Sequence, residues 1–201
     1  MDALDLIKKC KILPVVVFNN LEEVYPKLTA LKEGGINAAE ICFRTECSPD
    51  ALKMAIKDFP DMLIGAGTII NQKQCKLAID LGAKFIVSPG FSNEVYEECQ
   101  KNNVLYVPGA VTPTEIMNLL NKGIDHIKFF PAGSFGGLKA IKDLSSAFPN
   151  VFFMPTGGVN NDNLIEFITF KNIFAVGGSW LLKGDIVKNC KEAKEIIERG
   201  K

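Results

Sequence analysis

Along the chain, short apolar runs alternate with longer stretches in which apolar side chains recur every three or four positions. Eight runs stand out: ILPVVVF from Ile12, AAEICFR from Ala38, LIGAGT from Leu63, FIVSPG from Phe85, LYVPGA from Leu105, HIKFFP from His126, VFFMPTGG from Val151 and IFAVGGSW from Ile173. Each reads as a short buried strand. The stretches between them read as helices; after Asn71, for example, Leu77, Ala78 and Leu81 fall at helical intervals. Helix starts are marked by Thr112-Pro113-Thr114-Glu115, which offers an N-cap, a proline at the first helical position and an acid at the third. Ser48-Pro49 repeats the first two signals, and Asn71 with Gln74 offers a capping box. Gly34-Gly35, Gly82 and Gly123 mark helix ends, each a few residues before the next strand.

The pattern amounts to eight strand-then-helix units of about 20 to 26 residues, preceded by a short N-terminal helix. No linker or low-complexity segment interrupts it, which predicts one domain over residues 1–201. Strict alternation implies a parallel sheet, and eight units suggest a closed (β/α)8 TIM barrel. An open doubly wound sheet has the same pattern.

Composition narrows the function classes. Lys+Arg and Asp+Glu both number 23, so there is no basic footprint for nucleic acid. No stretch approaches the roughly 20 apolar residues of a membrane span, and MDALDLIKKCK lacks the apolar core of a signal peptide. The six cysteines are scattered without a CxxC pair and there is one histidine, so no metal site is suggested. The cysteines read as reduced thiols of a cytoplasmic protein.

Strand parity then sorts the side chains. In AAEICFR, Ala39, Ile41 and Phe43 form one apolar face, leaving Ala38, Glu40, Cys42 and Arg44 on the other. In HIKFFP, Ile127 and Phe129 face outward, leaving His126, Lys128 and Phe130 inward. Glu40 and Lys128 are each the third residue of an even-numbered strand, and barrel layers are built from alternate strands. They are therefore expected to face each other across the interior. A buried ion pair serving only as filler gains little over packed apolar residues, so function is the better reading. Desolvation disfavours a charged ammonium, the general route to a nucleophilic amine near neutral pH. A carboxylate opposite it is a candidate proton carrier. The pair suggests imine chemistry on a carbonyl substrate.

The last two runs end in Thr156-Gly157-Gly158 and Gly177-Gly178-Ser179. Barrels frequently bind phosphate after strands seven and eight, where glycine admits an anion close to the backbone and Ser179 adds a hydroxyl donor. Thr68 and Arg44 also end strands, and a guanidinium there suits a substrate carboxylate.

The stretches ILPVVV, AEICFRTEC, IGAGTIIN, FIVSPG, VPGAVTPTE, IKFFPA, PTGGV and VGGSWL, in this order, closely resemble the 2-dehydro-3-deoxy-6-phosphogluconate / 4-hydroxy-2-oxoglutarate aldolase family. The resemblance implies a class I aldolase that needs no cofactor or metal, built as a small barrel and assembled as a homotrimer. Its substrate would be a small keto-acid phosphate, cleaved to pyruvate and glyceraldehyde 3-phosphate as in the Entner–Doudoroff route. Cleavage of 4-hydroxy-2-oxoglutarate to pyruvate and glyoxylate is the second activity implied. By the same match Lys128 is the Schiff-base lysine and Glu40 the general acid/base. Arg44, Thr68 and Thr156 would surround the pyruvate carboxylate and the reacting carbons. Gly157, Gly158, Gly178 and Ser179 would take the phosphate, and Pro89 and Phe130 would shape the pocket wall. Thr156 favours the gluconate over the galactonate substrate, since phosphogalactonate-cleaving relatives often lack a hydroxyl there.

Rival readings are a phosphogalactonate aldolase, a phosphate-binding barrel isomerase or synthase, and a phosphate-ligand sensor without turnover. The inward lysine of the sixth strand speaks against the last two.

Overall fold

The computed structural model describes residues 2–200, and each of the eight apolar runs contains a strand. These are β1 (Ile12–Val16), β2 (Ala38–Cys42), β3 (Leu63–Gly67), β4 (Phe85–Val87), β5 (Leu105–Val107), β6 (His126–Phe129), β7 (Phe152–Pro155) and β8 (Val176–Gly178). The short helix α1 (Ala3–Cys10) precedes them. After each strand comes one helix: α2 (Val24–Glu33), α3 (Ser48–Asp58), α4 (Gln72–Asp80), α5 (Asn93–Lys101), α6 (Pro113–Leu120), α7 (Gly137–Ala147), α8 (Leu164–Ile168) and α9 (Ile186–Arg199).

All strand pairings are parallel. Six strands form one curled sheet in the order β5-β4-β3-β2-β1-β8, and β6 pairs with β7 in a second. Short bridges link the two sheets. Lys128 of β6 donates its N–H to Pro108 O at 2.8 Å and accepts from Ala110 N at 3.0 Å, while Thr156 bridges Gly177 on the other side.

Period-two burial divides the apolar residues into two clusters. The larger lies between the strands' outer faces and the helices, and includes Ile41, Ile127 and Phe129 with Leu28, Leu52, Ile116 and Ile141. The smaller is the interior filling: Leu13, Ala38, Leu63, Phe85, Val87, Val107 and Met154. Ile7 of α1 joins it, fully buried, so α1 covers the N-terminal end of the strands. Outward and inward residues of β2 and β6 fall as parity predicts, which leaves Glu40 and Lys128 as buried charged side chains within a mostly apolar interior.

Helix signals mostly hold, with two corrections. Thr112 and Glu115 form a reciprocal capping box on α6 with Pro113 at its first position, and Gly35, Gly82 and Gly123 adopt the positive φ expected of helix ends. Ser48 is not a cap. It is the first residue of α3, and its hydroxyl donates to Cys42 O at 2.9 Å, tying the helix start to the end of β2 instead of satisfying the helix's own amides. Asn71 does cap α4, accepting from Gln74 N at 2.9 Å, but Gln74 reaches back to Ile70 N rather than to Asn71. The reciprocal bond is displaced by one residue.

Candidate active site

Lys128 and Glu40 meet inside the sheet. Lys128 Nζ donates to Glu40 Oε1 at 3.2 Å across 88 positions of sequence, with the two residues 3% and 0% exposed. Glu40 is held from several sides. Cys42 Sγ lies 3.8 Å from the same oxygen, and Gly67 of β3 leaves the space that the carboxylate fills: a Cβ there would be 2.0 Å from Oε1. Oε2 is buried without a hydrogen-bond partner among the described residues. Burying a carboxylate oxygen unpaired is costly, which makes Oε2 the acceptor of this pair still open to a hydrogen bond. The Cys42 thiol is no rival nucleophile, because burial, reinforced by the Glu40 charge, pushes its pKa up to about 12.

Beside this pair, at the C-terminal ends of the strands, is a cavity of about 300 Å3 lined by Arg44, Phe130, Thr156, Gly157, Gly158, Gly178 and Ser179, together with Val15, Val159, Asn160, Trp180 and Lys183. The Phe130 ring connects the two parts, since Lys128 Nζ lies 5.5 Å from its centroid. Thr156 is buried, and its hydroxyl occupies the space that a side chain on Gly177 would need. Gly157 and Gly158 both hold positive φ, at 87° and 90°, which only glycine adopts readily. Asn163 Nδ2 donates to Gly158 O at 2.9 Å and pins that turn.

Two candidates lie off the wall of this cavity. Thr68 reaches it through Arg44, whose Nε donates to Thr68 Oγ1 at 2.9 Å. Its φ of 56° is unusual for a β-branched residue and stores backbone strain at the end of β3. Pro89 instead packs its carbonyl against Gly109, where a Cβ would meet Pro89 O at 2.0 Å. It shapes the junction of the fourth and fifth strand ends.

A larger hollow of about 730 Å3 opens at the opposite end, against α1, with Lys84, Asp125 and His126 on its wall. Lys84 on that wall forms no ion pair within 4.0 Å among the described residues. Among the described residues, no group of three or more His, Cys, Asp or Glu could hold a metal ion, and no helix is long and apolar enough to cross a membrane.

The sequence profile of the family described as KDPG and KHG aldolase (KDPG, 2-dehydro-3-deoxy-6-phosphogluconate; KHG, 4-hydroxy-2-oxoglutarate) matches residues 4–198. The chain belongs to this family. It is 34% identical over 196 residues to the KHG/KDPG aldolase of Escherichia coli K12, covering 94% of this chain and 92% of that one. Among solved structures, a KDPG aldolase from Legionella pneumophila with pyruvate captured as a covalent carbinolamine superposes with a TM-score of 0.88. It is 36% identical and covers 99% of this chain and 98% of its own. A Zymomonas mobilis ZM4 aldolase with 3-phosphoglycerate gives a TM-score of 0.90 at 33% identity, covering 96% and 94%.

Several residues that shape this cavity or hold Glu40 stand outside the expected set. Gly67 is one, and the doubled glycine of LIGAGT was its signal. At Gly178 the missing side chain makes room for Trp180, whose ring would lie 2.2 Å from a Cβ there. Trp180 in turn donates from Nε1 to Asn161 Oδ1 at 2.8 Å, joining the two glycine loops. Asn160 and Lys183 gave no local signal at all.

Proposed function

We propose that this chain is a class I carbon–carbon lyase that cleaves KDPG to pyruvate and glyceraldehyde 3-phosphate, with 4-hydroxy-2-oxoglutarate as a second substrate. The observation that carries the residue assignment is the buried Lys128–Glu40 pair beside a cavity with Arg44 on its wall.

In the first step Lys128 passes a proton to Glu40 across their 3.2 Å contact, and the neutral amine attacks the C2 ketone of the substrate. Glu40 then returns the proton to the carbinolamine hydroxyl, which leaves as water, and an iminium remains on Lys128. As the C3–C4 bond breaks, its electrons flow into that iminium and the C4 hydroxyl proton passes to Glu40, directly or through a water. Glyceraldehyde 3-phosphate departs. Glu40 next protonates C3 of the enamine, and one water hydrolyses the resulting iminium, freeing pyruvate and restoring the ammonium–carboxylate pair. Water is released once and consumed once, and Glu40 ends as it began.

In this reading Arg44 binds the substrate carboxylate, oriented by its bond to Thr68. Thr156 and Phe130 wall the reacting carbons, Pro89 supports the neighbouring strand ends, and Gly157, Gly158, Gly178 and Ser179 hold the phosphate. Thr156 favours the gluconate over the galactonate substrate. The bridges from β5 to β6 and from β7 to β8 support a single-domain closed (β/α)8 barrel over residues 1–201. Family resemblance supports a cytoplasmic homotrimer.

Borohydride reduction in the presence of pyruvate tests the chemistry. It should add one reduced pyruvyl group per chain, on the peptide containing Lys128, and Lys128→Ala should lose both labelling and turnover. Label on another lysine, or normal turnover by that variant, rejects the Schiff-base assignment.

A further inference from the structure

The cavity wall carries two cationic side chains, Arg44 and Lys183, and no acidic one. They come from different segments of the chain. Arg44 follows β2 and is tied to Thr68, whereas Lys183 ends the single turn Trp180–Leu182 that leads out of β8, directly after Ser179. Lys183 forms no ion pair within 4.0 Å among the described residues. The nearest acid in sequence, Asp185, is engaged elsewhere, since its Oδ1 caps α9 by accepting from Lys188 N at 2.9 Å.

The backbone that carries Lys183 is anchored on both sides. Asn189 Nδ2 donates to Lys183 O at 2.6 Å and to Leu181 O at 3.3 Å. Trp180 fills the space over Gly178 and bonds Asn161. An unpaired cation therefore stands on an ordered turn at the glycine-rich end of the cavity. Such a charge adds little for a neutral group, but it interacts strongly with a phosphate dianion held by neighbouring amides.

We infer that Lys183 is a specificity-determining residue: it pairs with the substrate's phosphate and biases the enzyme toward the phosphorylated keto acid over unphosphorylated 4-hydroxy-2-oxoglutarate. This role rests on the aldolase reading above. The two cations suit a substrate with a carboxylate at one end and a phosphate dianion at the other; 4-hydroxy-2-oxoglutarate is shorter and ends in a singly charged carboxylate directly on C4.

The test compares kcat/KM for KDPG and for 4-hydroxy-2-oxoglutarate in the wild-type enzyme, Lys183→Gln and Lys183→Arg. In the glutamine variant the ratio of the two values should fall about tenfold, through KM for KDPG, as expected when one charge-assisted contact is lost. The arginine variant should restore most of it. Inorganic phosphate, used as a competitive inhibitor of 4-hydroxy-2-oxoglutarate cleavage, should lose affinity for the glutamine variant by a similar factor. An unchanged ratio with unchanged phosphate inhibition overturns the role of Lys183 and leaves the aldolase reading standing. Absence of pyruvate release from either substrate by the wild-type enzyme, together with failed borohydride labelling, overturns both.

Discussion

A side chain at position 67 would place its Cβ 2.0 Å from Glu40 Oε1 and 2.5 Å from Cδ. Gly67 is not among the positive-φ glycines, so its backbone tolerates a side chain and only the carboxylate forbids one. Gly67→Ala is therefore expected to displace Glu40 while leaving the strand intact. Turnover should fall by about 10² to 10⁴, the range for loss of a general acid–base group, matching Glu40→Gln. Lys128 should still be labelled by pyruvate and borohydride, and the circular dichroism spectrum should be retained. Wild-type turnover in Gly67→Ala would show that Glu40 has room to move without consequence. Residue chemistry of this kind is half legible. Lys128 and Glu40 follow from parity within their own strands, but the need for glycine at position 67 arises only from the β2–β3 register, which pairs Glu40 with Gly65 and Cys42 with Gly67.

At the scale of elements, local chemistry determines where helices begin. The α6 capping box satisfies two otherwise orphaned amides from Thr112 and Glu115 alone, so it was readable without any tertiary information. Thr112→Ala should destabilise the protein by about 1 kcal/mol, or roughly 2–4 °C in Tm for a chain of this size, with kcat unchanged because α6 lies away from the cavity. Thermal unfolding followed by circular dichroism measures it, and an unchanged Tm would mean that the cap bonds are replaced by water at no cost. Ser48 carries the same local signal as Thr112, yet it bonds Cys42 O instead. A hydroxyl next to a strand's last carbonyl has two possible acceptors or donors within reach, and the folded neighbourhood selects between them.

At the scale of the whole molecule, its one histidine makes stability depend on pH. His126 is buried, stacks on Phe152 with ring centroids 5.0 Å apart, and has no partner at Nε2 among the described residues. Burial pushes its pKa below the usual 6.5, partly offset by Asp125, whose Oδ1 lies 2.6 Å from Nδ1. Below about pH 6.5 the unfolded chain therefore binds a proton that the native state resists, and stability falls as pH falls. This contribution is fully present above pH 6.5. Urea unfolding at pH 7.5 and 5.5 should show a larger loss for the wild-type protein than for His126→Phe, which keeps an aromatic ring against Phe152. Equal losses would assign the pH dependence to other groups.

From the sequence alone came the eight-unit alternation, the inward and outward faces of β2 and β6, the Lys128–Glu40 pairing and the glycine-rich strand ends. These follow from periodicity and local backbone preference, which act between residues near one another in the chain. Tertiary structure alone decided the 3.2 Å contact between two residues 88 positions apart, the bond from Arg44 to Thr68, and the removal of Pro89 from the cavity wall. It also brought Asn160, Trp180 and Lys183 to the glycine end. Those outcomes depend on how strand ends and loops from distant units meet at one end of the sheet, and nothing in the spacing of neighbouring residues encodes that distance.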